Sequence, residues 1–240
     1  MIIDAHVHVK GGDIYRRHFP AELILRRMDE AGIGLSVVFG VCLPTEEAIA
    51  LTRAEVAKAP DRLIGFAYAL PAGDRPVLQM LEQAITQGMR GFKIHAAECS
   101  LRDPAAGAIL ALAGELSVPC LVDCLGDLAA AEHLAKAYPR TNIIYAHLGG
   151  LGLSEPGIDD FIALAKDREN VHLDTAYVPM AWKIEDAIAR AGARKIIWGS
   201  DGPLIHPALE LHKVRILGLP AQDEAQVLGG NIARLIGLST

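Results

Sequence analysis

The sequence predicts an α/β protein that folds as a (β/α)8 barrel, a TIM barrel formed by one domain over residues 1–240. Short apolar runs recur eight times at intervals of roughly 25 to 30 residues, and patterns typical of helices separate them. The length of 240 residues and the hydrophobic content of 51% suit one barrel, since this fold typically takes about 250 residues. Strands that alternate with helices form a parallel sheet, and eight such units close naturally into a barrel.

The apolar runs predict the strands. They are short, and most are rich in β-branched residues, which favours buried strands over helices. The predicted strands cover residues 2–8, 34–39, 63–69, 91–95, 119–123, 142–147, 171–175 and 195–200.

The segments between these strands predict helices. Thr45 opens one of them and is followed by Glu46 and Glu47, which the positive end of a helix dipole favours. Glycine follows three others, at positions 32, 88 and 192, where a left-handed residue ends a helix at least cost. The predicted helices cover residues 21–31, 45–59, 75–87, 104–116, 128–138, 158–167, 182–191, 207–217 and 222–235.

A doubly wound sheet is the competing architecture. It would carry a glycine-rich phosphate-binding loop after its first strand. Here the first strand ends in two histidines and is followed by Lys10-Gly11-Gly12, without the G-x-G-x-x-G pattern. The barrel is therefore the preferred prediction.

Charge and composition limit the partners. The net charge is −6 and the isoelectric point is about 5.8, and no basic stripe is present. This argues against nucleic acid or an anionic membrane surface as a partner and favours a small-molecule substrate. No apolar run reaches the roughly 18 residues of a membrane span, and no signal region precedes the first strand. The four cysteines lack zinc-finger spacing, so we expect reduced thiols in a cytoplasmic protein.

The first strand ends in Asp4-Ala5-His6-Val7-His8. Side chains two residues apart on a strand point to the same face, about two rises of roughly 3.3 Å apart. Strict alternation also places Asp4 on this face. His6 and His8 can therefore hold one metal ion together, although two structural histidines would produce the same pattern.

Polar residues end most of the later strands as well. The catalytic groups of this fold lie at the carboxyl ends of its strands. Charged groups beside an apolar core cost free energy, so their repetition at these ends indicates a functional site. Imidazole and carboxylate donors suit a divalent first-row metal, zinc first. The residues at these ends are Lys93, His95, Asp123, His147, Asp174 and Asp201.

These motifs together resemble the amidohydrolase superfamily, and most closely its amidohydrolase-2 family of metal-dependent hydrolases and decarboxylases. The resemblance covers nearly the whole chain. It is carried by Asp4-Ala5-His6-Val7-His8, Gly91-Phe92-Lys93-Ile94-His95, Ala146-His147-Leu148-Gly149-Gly150, Asn170-Val171-His172-Leu173-Asp174-Thr175, Trp198-Gly199-Ser200-Asp201-Gly202-Pro203 and the closing segment 228–235.

The resemblance implies roles for several of these residues. His6, His8 and Asp201 would bind the metal, and His147 would act as acid or base beside it. It implies one divalent ion, zinc first with manganese or iron as alternatives, and a homodimer.

Asp123 departs from the family pattern, because the family usually has a metal-binding histidine at the end of strand five. Here the matching run is Pro119-Cys120-Leu121-Val122-Asp123. A carboxylate can also ligate zinc, so Asp123 is either an adapted metal ligand or the mark of a weakened or lost site. The further candidates for substrate binding are Lys93, His95 and Arg102, of which Lys93 could equally pair with Asp123.

The predicted reaction is hydrolysis of a carbonyl-centred bond, such as a lactone or amide, by metal-activated water. Asp201 or His147 would take the proton, and His147 would help to stabilise the oxyanion. Two alternatives remain open from the sequence. One is non-oxidative decarboxylation of a small carboxylic acid, and the other is a metal-free binding protein that kept the barrel without catalysis.

Overall fold

A computed structural model describes residues 1–12, 16–72 and 75–238. Its strands are β1 (Ile3–His8), β2 (Lys10–Gly11), β3 (His18–Phe19), β4 (Leu35–Phe39), β5 (Leu63–Gly65), β6 (Ala67–Tyr68), β7 (Phe92–His95), β8 (Cys120–Asp123), β9 (Ile143–Tyr145), β10 (Val171–Asp174) and β11 (Ile196–Ile197).

The helices fill the intervals between the barrel strands and form the tail. They are α1 (Ala21–Ala31), α2 (Thr45–Val56), α3 (Val77–Thr86), α4 (Pro104–Glu115), α5 (Leu128–Ala137), α6 (Glu155–Asp167), α7 (Ala181–Ala191), α8 (Pro207–Arg215), α9 (Ala221–Ala225) and α10 (Asn231–Leu235). Short 3-10 turns cover Ala146–Gly149 and Ala193–Lys195, and a π turn covers Gln226–Gly230.

Parallel pairing joins nine of the strands into the predicted TIM barrel, while β2 and β3 pair antiparallel in a separate two-stranded sheet. The ladder runs β1-β4-β5, and a second ladder runs β6-β7-β8-β9-β10-β11. The two ladders meet where β5 continues into β6, because the Phe66 N–H donates to the Val38 carbonyl at 2.9 Å. On the opposite side the Ala5 N–H donates to the Trp198 carbonyl at 3.2 Å, and the His8 N–H donates to the Gly202 carbonyl at 2.7 Å. These bonds close the barrel, so the predicted fold class is confirmed.

Two predicted strands are shorter or less regular than expected. The run 63–69 is interrupted at Phe66, where the chain leaves β4 and begins to pair with β7. The run 195–200 retains only Ile196–Ile197 as regular strand, since the residues after it turn to meet β1. Both irregularities lie where the two ladders join.

Alternate residues of the strands divide the core into two layers. One layer fills the barrel interior, and the other packs between the barrel and its helices. The interior contains Ile3, Ala5, Val37, Phe39, Phe66, Tyr68, Leu121, Ile144 and Ile197.

A bulge in β1 interrupts its alternation. Asp4 pairs with Ser36 and Val7 pairs with Val38. Between these two pairs β1 advances by three residues and β4 by two, so β1 contains one extra residue. Asp4 consequently lies in the outer layer beside Ile24 of α1, while His6 and His8 face the interior. Strict alternation is therefore wrong for Asp4, because a bulge shifts the phase of the side chains that follow it.

In this outward position Asp4 links β1 to the segment around Ser200 through hydrogen bonds. Its carboxylate accepts hydrogen bonds from the backbone N–H of His6 at 3.2 Å and of Ser200 at 2.9 Å, and from the Ser200 hydroxyl. A buried carboxylate with several donors is well satisfied. Asp4 thus ties β1 to the segment that carries Asp201.

The tail helix also depends on a close backbone approach. Gly229 lies in the π turn, and a side chain there would collide with the Met1 carbonyl.

The longest described helix, α6, has 13 residues, and across 1–12, 16–72 and 75–238 no helix combines the length and apolarity that crossing a membrane requires.

His172 predicts a dependence of stability on pH. It lies opposite Ile144 in the barrel wall, it is 3% exposed, and within the described residues neither ring nitrogen makes a hydrogen bond of ordinary geometry. Burial, with the nearby charge of Lys195, lowers the pKa of His172 from 6.5 to about 3. Below pH 6.5, His172 therefore binds a proton in the unfolded chain but stays neutral in the native state. The free energy of unfolding falls as the pH is lowered.

We expect His172→Leu to flatten this acid limb. Between pH 6.5 and about 3 the wild type should lose up to about 1.4 kcal/mol per pH unit relative to the variant. Urea unfolding at several pH values measures the slopes, with the exposed His133→Gln as a control that should match the wild type. Equal slopes for wild type and His172→Leu would rule out this contribution.

Candidate metal centre and active site

The carboxyl ends of the barrel strands surround a cavity of about 170 Å³. Its polar lining comes from six different barrel strands or the segments after them, together with Lys10 of β2, which brings together residues distant in the sequence. The polar and charged lining residues are His6, His8, Lys10, Cys42, Lys93, His95, Asp123, His147 and Asp201. The apolar rim consists of Phe19, Val41, Leu151 and Leu204.

His6, His8 and Asp201 form the predicted donor set. One ligand atom of each lies within 4.8 Å of the others. The Nε2 atoms of His6 and His8 lie 3.5 and 2.8 Å from the Asp201 Oδ1. Two ligands of a tetrahedral ion with bonds of roughly 2.0–2.1 Å stand about 3.4 Å apart. Small side-chain movements therefore suffice, and two imidazoles with a carboxylate suit a divalent first-row metal.

A second set of three donors shares His6. It consists of His6, His147 and Asp174, again within 4.8 Å of one another. Here the His6 Nδ1 lies 2.8 Å from the Asp174 Oδ2. The His8 Nε2 and the Asp201 Oδ1 are equally close, but Asp174 has no exposed surface and its Oδ1 already accepts the backbone N–H groups of His147 and Ala176. The geometry favours a single ion on the Nε2 side of His6.

His147 enters the cavity from a strained turn after β9. Its φ is 59° and that of Leu148 is 51°, both in the left-handed region. Gly149 completes the turn, since a side chain there would collide with Phe161. The His147 Nδ1 lies 2.6 Å from the Ala176 carbonyl and must donate to it, which directs Nε2 into the cavity.

Four of the six other described non-glycine residues with left-handed backbone also follow barrel strands, whereas Arg16 and Ser117 lie elsewhere. Such backbone is costly outside glycine. Strain concentrated at one end of the barrel is typical of functional sites. These residues are Cys42, Leu125, Tyr177 and Asp201.

Asp123 lies beside His147 and His95. Its Oδ2 is 3.5 Å from the His147 Nε2 and 3.4 Å from the His95 Nε2. It belongs to neither set of three donors that could hold a metal in the described part of the chain. Burial opposes the charge of Asp123, but His147 and Lys93 outweigh this effect and hold the pKa of its carboxyl well below the usual range.

The same contact acts on His147. Burial disfavours the charged imidazole, yet the hydrogen bond with Asp123 and the charges of Asp174 and Asp201 outweigh it and raise the pKa of His147. His95 responds in the opposite direction, since burial and Lys93 lower its pKa. The Ala97 N–H donates to the His95 Nδ1 at 3.1 Å, so its Nε2–H faces Asp123.

Lys93 places a buried amine in the wall of the cavity. Its side chain is fully buried, and within the described ranges its Nζ makes no hydrogen bond. The nitrogen stands 5.0 Å from the centroid of the Phe39 ring, and burial lowers its pKa. Burying an amine without a hydrogen-bond acceptor costs free energy. This cost is expected where a bound ligand supplies the acceptor.

Arg102 is the predicted site residue that the structure does not bring to this cavity. It is 64% exposed and makes a two-pronged ion pair with Asp127 at 2.9 and 3.0 Å. The sequence predicts substrate binding by Arg102, whereas the side chain pairs with Asp127 at the surface. Asp174 is the functional candidate that the sequence left without a role, although its position at a strand end was the available signal.

Comparison with known proteins identifies the family and the fold of the chain. A sequence model of the family described as Amidohydrolase matches residues 3–238. No curated protein matches the chain. Similar solved structures include an amidohydrolase from Burkholderia multivorans with bound HEPES, at 14% identity, full coverage of both chains (100% and 100%) and a TM-score of 0.80.

Two further solved structures differ in the chemistry that they are named for. One is a dihydroxybenzoic acid decarboxylase from a Polaromonas species with bound manganese and 2-nitroresorcinol (17% identity, 98% of this chain, 96% of that chain, TM-score 0.77). The other is a probable 2-pyrone-4,6-dicarboxylic acid hydrolase from Acinetobacter baumannii with citric acid bound (17% identity, 99% of each chain, TM-score 0.76). At these identities they establish the fold. Because the family model spans nearly the whole sequence, the chain belongs to the amidohydrolase family of enzymes.

Proposed function

We propose that the protein is a hydrolase that uses one divalent metal ion to cleave a lactone or an amide of a small molecule. The observation that carries this proposal is that the carboxylate of Asp201 and the imidazole of His147 both lie beside the imidazole of His6. The Asp201 Oδ1 is 3.5 Å from the His6 Nε2, and the His147 ring centroid is 5.0 Å from that of His6. An ion held by His6, His8 and Asp201 would supply Lewis acidity and lower the pKa of bound water.

Asp201 is suited to take a proton from water. Burial opposes its charge, but the contact with His8 and the neighbouring imidazoles outweigh burial and keep the pKa of Asp201 well below its usual range. The carboxylate is therefore ionised, as a metal ligand must be, and as a base it would act through its position beside the reacting water and not through a high proton affinity. Asp201 would thus serve both as metal ligand and as base.

His147 is suited to act at the oxygen that becomes negative. The raised pKa of its imidazole favours the protonated form, and Asp123 accepts from its Nε2 in the absence of substrate. A substrate oxygen that replaces this contact would receive a hydrogen bond from Nε2, which stabilises an oxyanion and can protonate the leaving group. Lys93 and His95 would hold a carboxylate or carbonyl of the substrate.

Decarboxylation is the second candidate, and Lys93 is the observation that favours it. A buried, unpartnered amine can anchor a carboxylate while the apolar rim of Phe19, Leu151 and Leu204 holds an aromatic or dienoic group. The manganese-containing decarboxylase with the same fold agrees with this candidate. In that reaction His147 would deliver a proton to the carbon that loses carbon dioxide.

Product analysis separates the two reactions. The protein loaded with zinc or manganese is incubated with lactones and amides, and with aromatic and dienoic acids, and the products are identified by mass spectrometry. Hydrolysis adds one water to the substrate, whereas decarboxylation removes one carbon dioxide. Water addition supports the proposal, carbon dioxide loss replaces it with the second candidate, and binding without conversion supports a metal-free or inactive binding protein.

Asp123 yields a prediction about metal binding. Because it contacts His147 and His95 and lies outside both donor sets, we expect Asp123→His and Asp123→Asn to bind zinc and manganese as tightly as the wild type. Turnover of Asp123→Asn should fall by about 10²-fold, since His147 loses the partner that favours its protonated form. Calorimetric titration with both metals measures the affinities. A gain in zinc affinity for Asp123→His would show a degraded ligand position, and a change of metal preference would show an adapted ligand.

A further inference from the structure

Asp174 is a buried carboxylate between the two groups assigned to metal binding and proton transfer. It ends β10, and its side chain has no exposed surface. Its Oδ2 lies 2.8 Å from the His6 Nδ1. Its Oδ1 accepts the backbone N–H of His147 at 2.9 Å and that of Ala176 at 3.0 Å. One carboxylate thus contacts both His6 and the segment that presents His147.

The contact with His6 determines which ring nitrogen is available to a metal. A neutral imidazole has one N–H and one lone pair, and only the nitrogen with the lone pair can ligate. Since the Asp174 Oδ1 accepts two backbone N–H groups, the carboxylate acts as an acceptor in this network, which places the proton of His6 on Nδ1 and the lone pair on Nε2. Nε2 is the nitrogen that faces Asp201 at 3.5 Å. The opposite tautomer would direct an N–H at the metal position.

The contact with His147 fixes its backbone. The left-handed conformation of His147 and Leu148 is unfavourable for non-glycine residues, so it needs contacts that hold it. The backbone N–H of His147 donates to Asp174, and its Nδ1 donates to the Ala176 carbonyl. Since the Ala176 N–H also donates to Asp174, this carboxylate holds both the strained turn and the loop that orients the ring.

We propose that Asp174 is a positioning residue that keeps His6 in its Nδ1–H tautomer, leaves Nε2 free for the metal, and fixes His147 beside it. The proposal rests on the metal site of the proposed function. A hydrogen-bonded carboxylate behind a metal-binding histidine orients the ring and raises its basicity, and loss of such a partner typically costs about 10- to 100-fold in metal affinity. Asp174 would therefore act on the metal through His6 without contacting the ion.

Asp174→Asn is the sharpest variant. The asparagine carbonyl can still accept from His147 and Ala176, but its amide would donate toward the His6 Nδ1 and impose the other tautomer. We expect zinc and manganese affinity to fall by about 10- to 100-fold in calorimetric titration. The melting temperature of the metal-free variant should stay close to that of the wild type. The matched control is Asp127→Asn at an exposed carboxylate, which should bind both metals normally.

The wild-type protein supplies a second readout that does not depend on a variant. Long-range ¹⁵N–¹H correlation spectra distinguish the two tautomers of His6, and we expect a protonated Nδ1 with and without zinc. A protonated Nε2 in the metal-free wild type would overturn the proposal, because Asp174 would then donate to His6. Unchanged metal affinity in a folded Asp174→Asn would overturn it as well.

These results are separable from the fate of the proposed function. If the wild type binds metal but converts no lactone or amide, the proposed reaction fails while the effect of Asp174 on affinity still stands or falls by the titration. If the wild type binds no zinc or manganese, the metal site itself fails, and with it the role of Asp174 in tuning the metal.

Discussion

Replacing His147 with asparagine should lower turnover by about 10²- to 10⁴-fold while the metal remains bound. The expectation follows from the position of the imidazole Nε2, which faces the cavity and contacts Asp123 at 3.5 Å. Asparagine keeps a polar group of similar reach but cannot donate or accept a proton in the transition state. His147 belongs to the metal-donor set with His6 and Asp174, yet the hydrogen bond of its Nδ1 to the Ala176 carbonyl favours a role in proton transfer.

Steady-state kinetics with metal analysis of the same preparation tests this prediction. The control is His133→Asn, which changes an exposed histidine remote from the cavity and should retain full activity. Loss of metal together with activity would make His147 a ligand. Unaltered turnover would remove His147 from the mechanism.

The double replacement of His6 and His8 by alanine should abolish stoichiometric metal binding. The two imidazoles supply two of the three donors in the set with Asp201, and one carboxylate alone is a poor site for zinc. Because a ligand that binds the native state stabilises it, zinc at about 100 times its Kd should add about 2.7 kcal/mol to the unfolding free energy of the wild type. The double variant should show no such stabilisation.

Thermal unfolding with and without metal measures this difference. The matched control is His95→Ala, which removes a cavity histidine outside both donor sets and should keep the thermal shift of the wild type. A double variant that still gains stability from zinc would place the ion elsewhere in the protein.

Much of the fold could be predicted because it depends on local pattern. The spacing of apolar runs and helix signals reflects a repeated strand–helix unit, and parallel strands in such units leave few topologies. The same regularity places the last residue of each strand at one mouth. The sequence alone therefore predicts that His6, His8, His147 and Asp201 lie close together.

The parts that escaped prediction depend on tertiary contacts. The bulge between Asp4 and Val7 arises from pairing with β4, and the alternation of the sequence hides it. Arg102 turns to Asp127, a partner 25 residues away, which no local pattern reveals. The role of Asp174 emerges only when β1 and β10 face each other across the barrel, since its partners are His6 and the backbone of His147.

A crystal structure of the metal-replete protein, with anomalous scattering at the zinc and manganese edges, tests the central claim most directly. The claim is that one divalent ion lies between the Nε2 atoms of His6 and His8 and the carboxylate of Asp201. We predict one anomalous peak at this position, with the His6 Nδ1 still bonded to Asp174. A peak shared by His6 Nδ1, His147 and Asp174, or crystals saturated with metal that show no peak in this cavity, would contradict the claim.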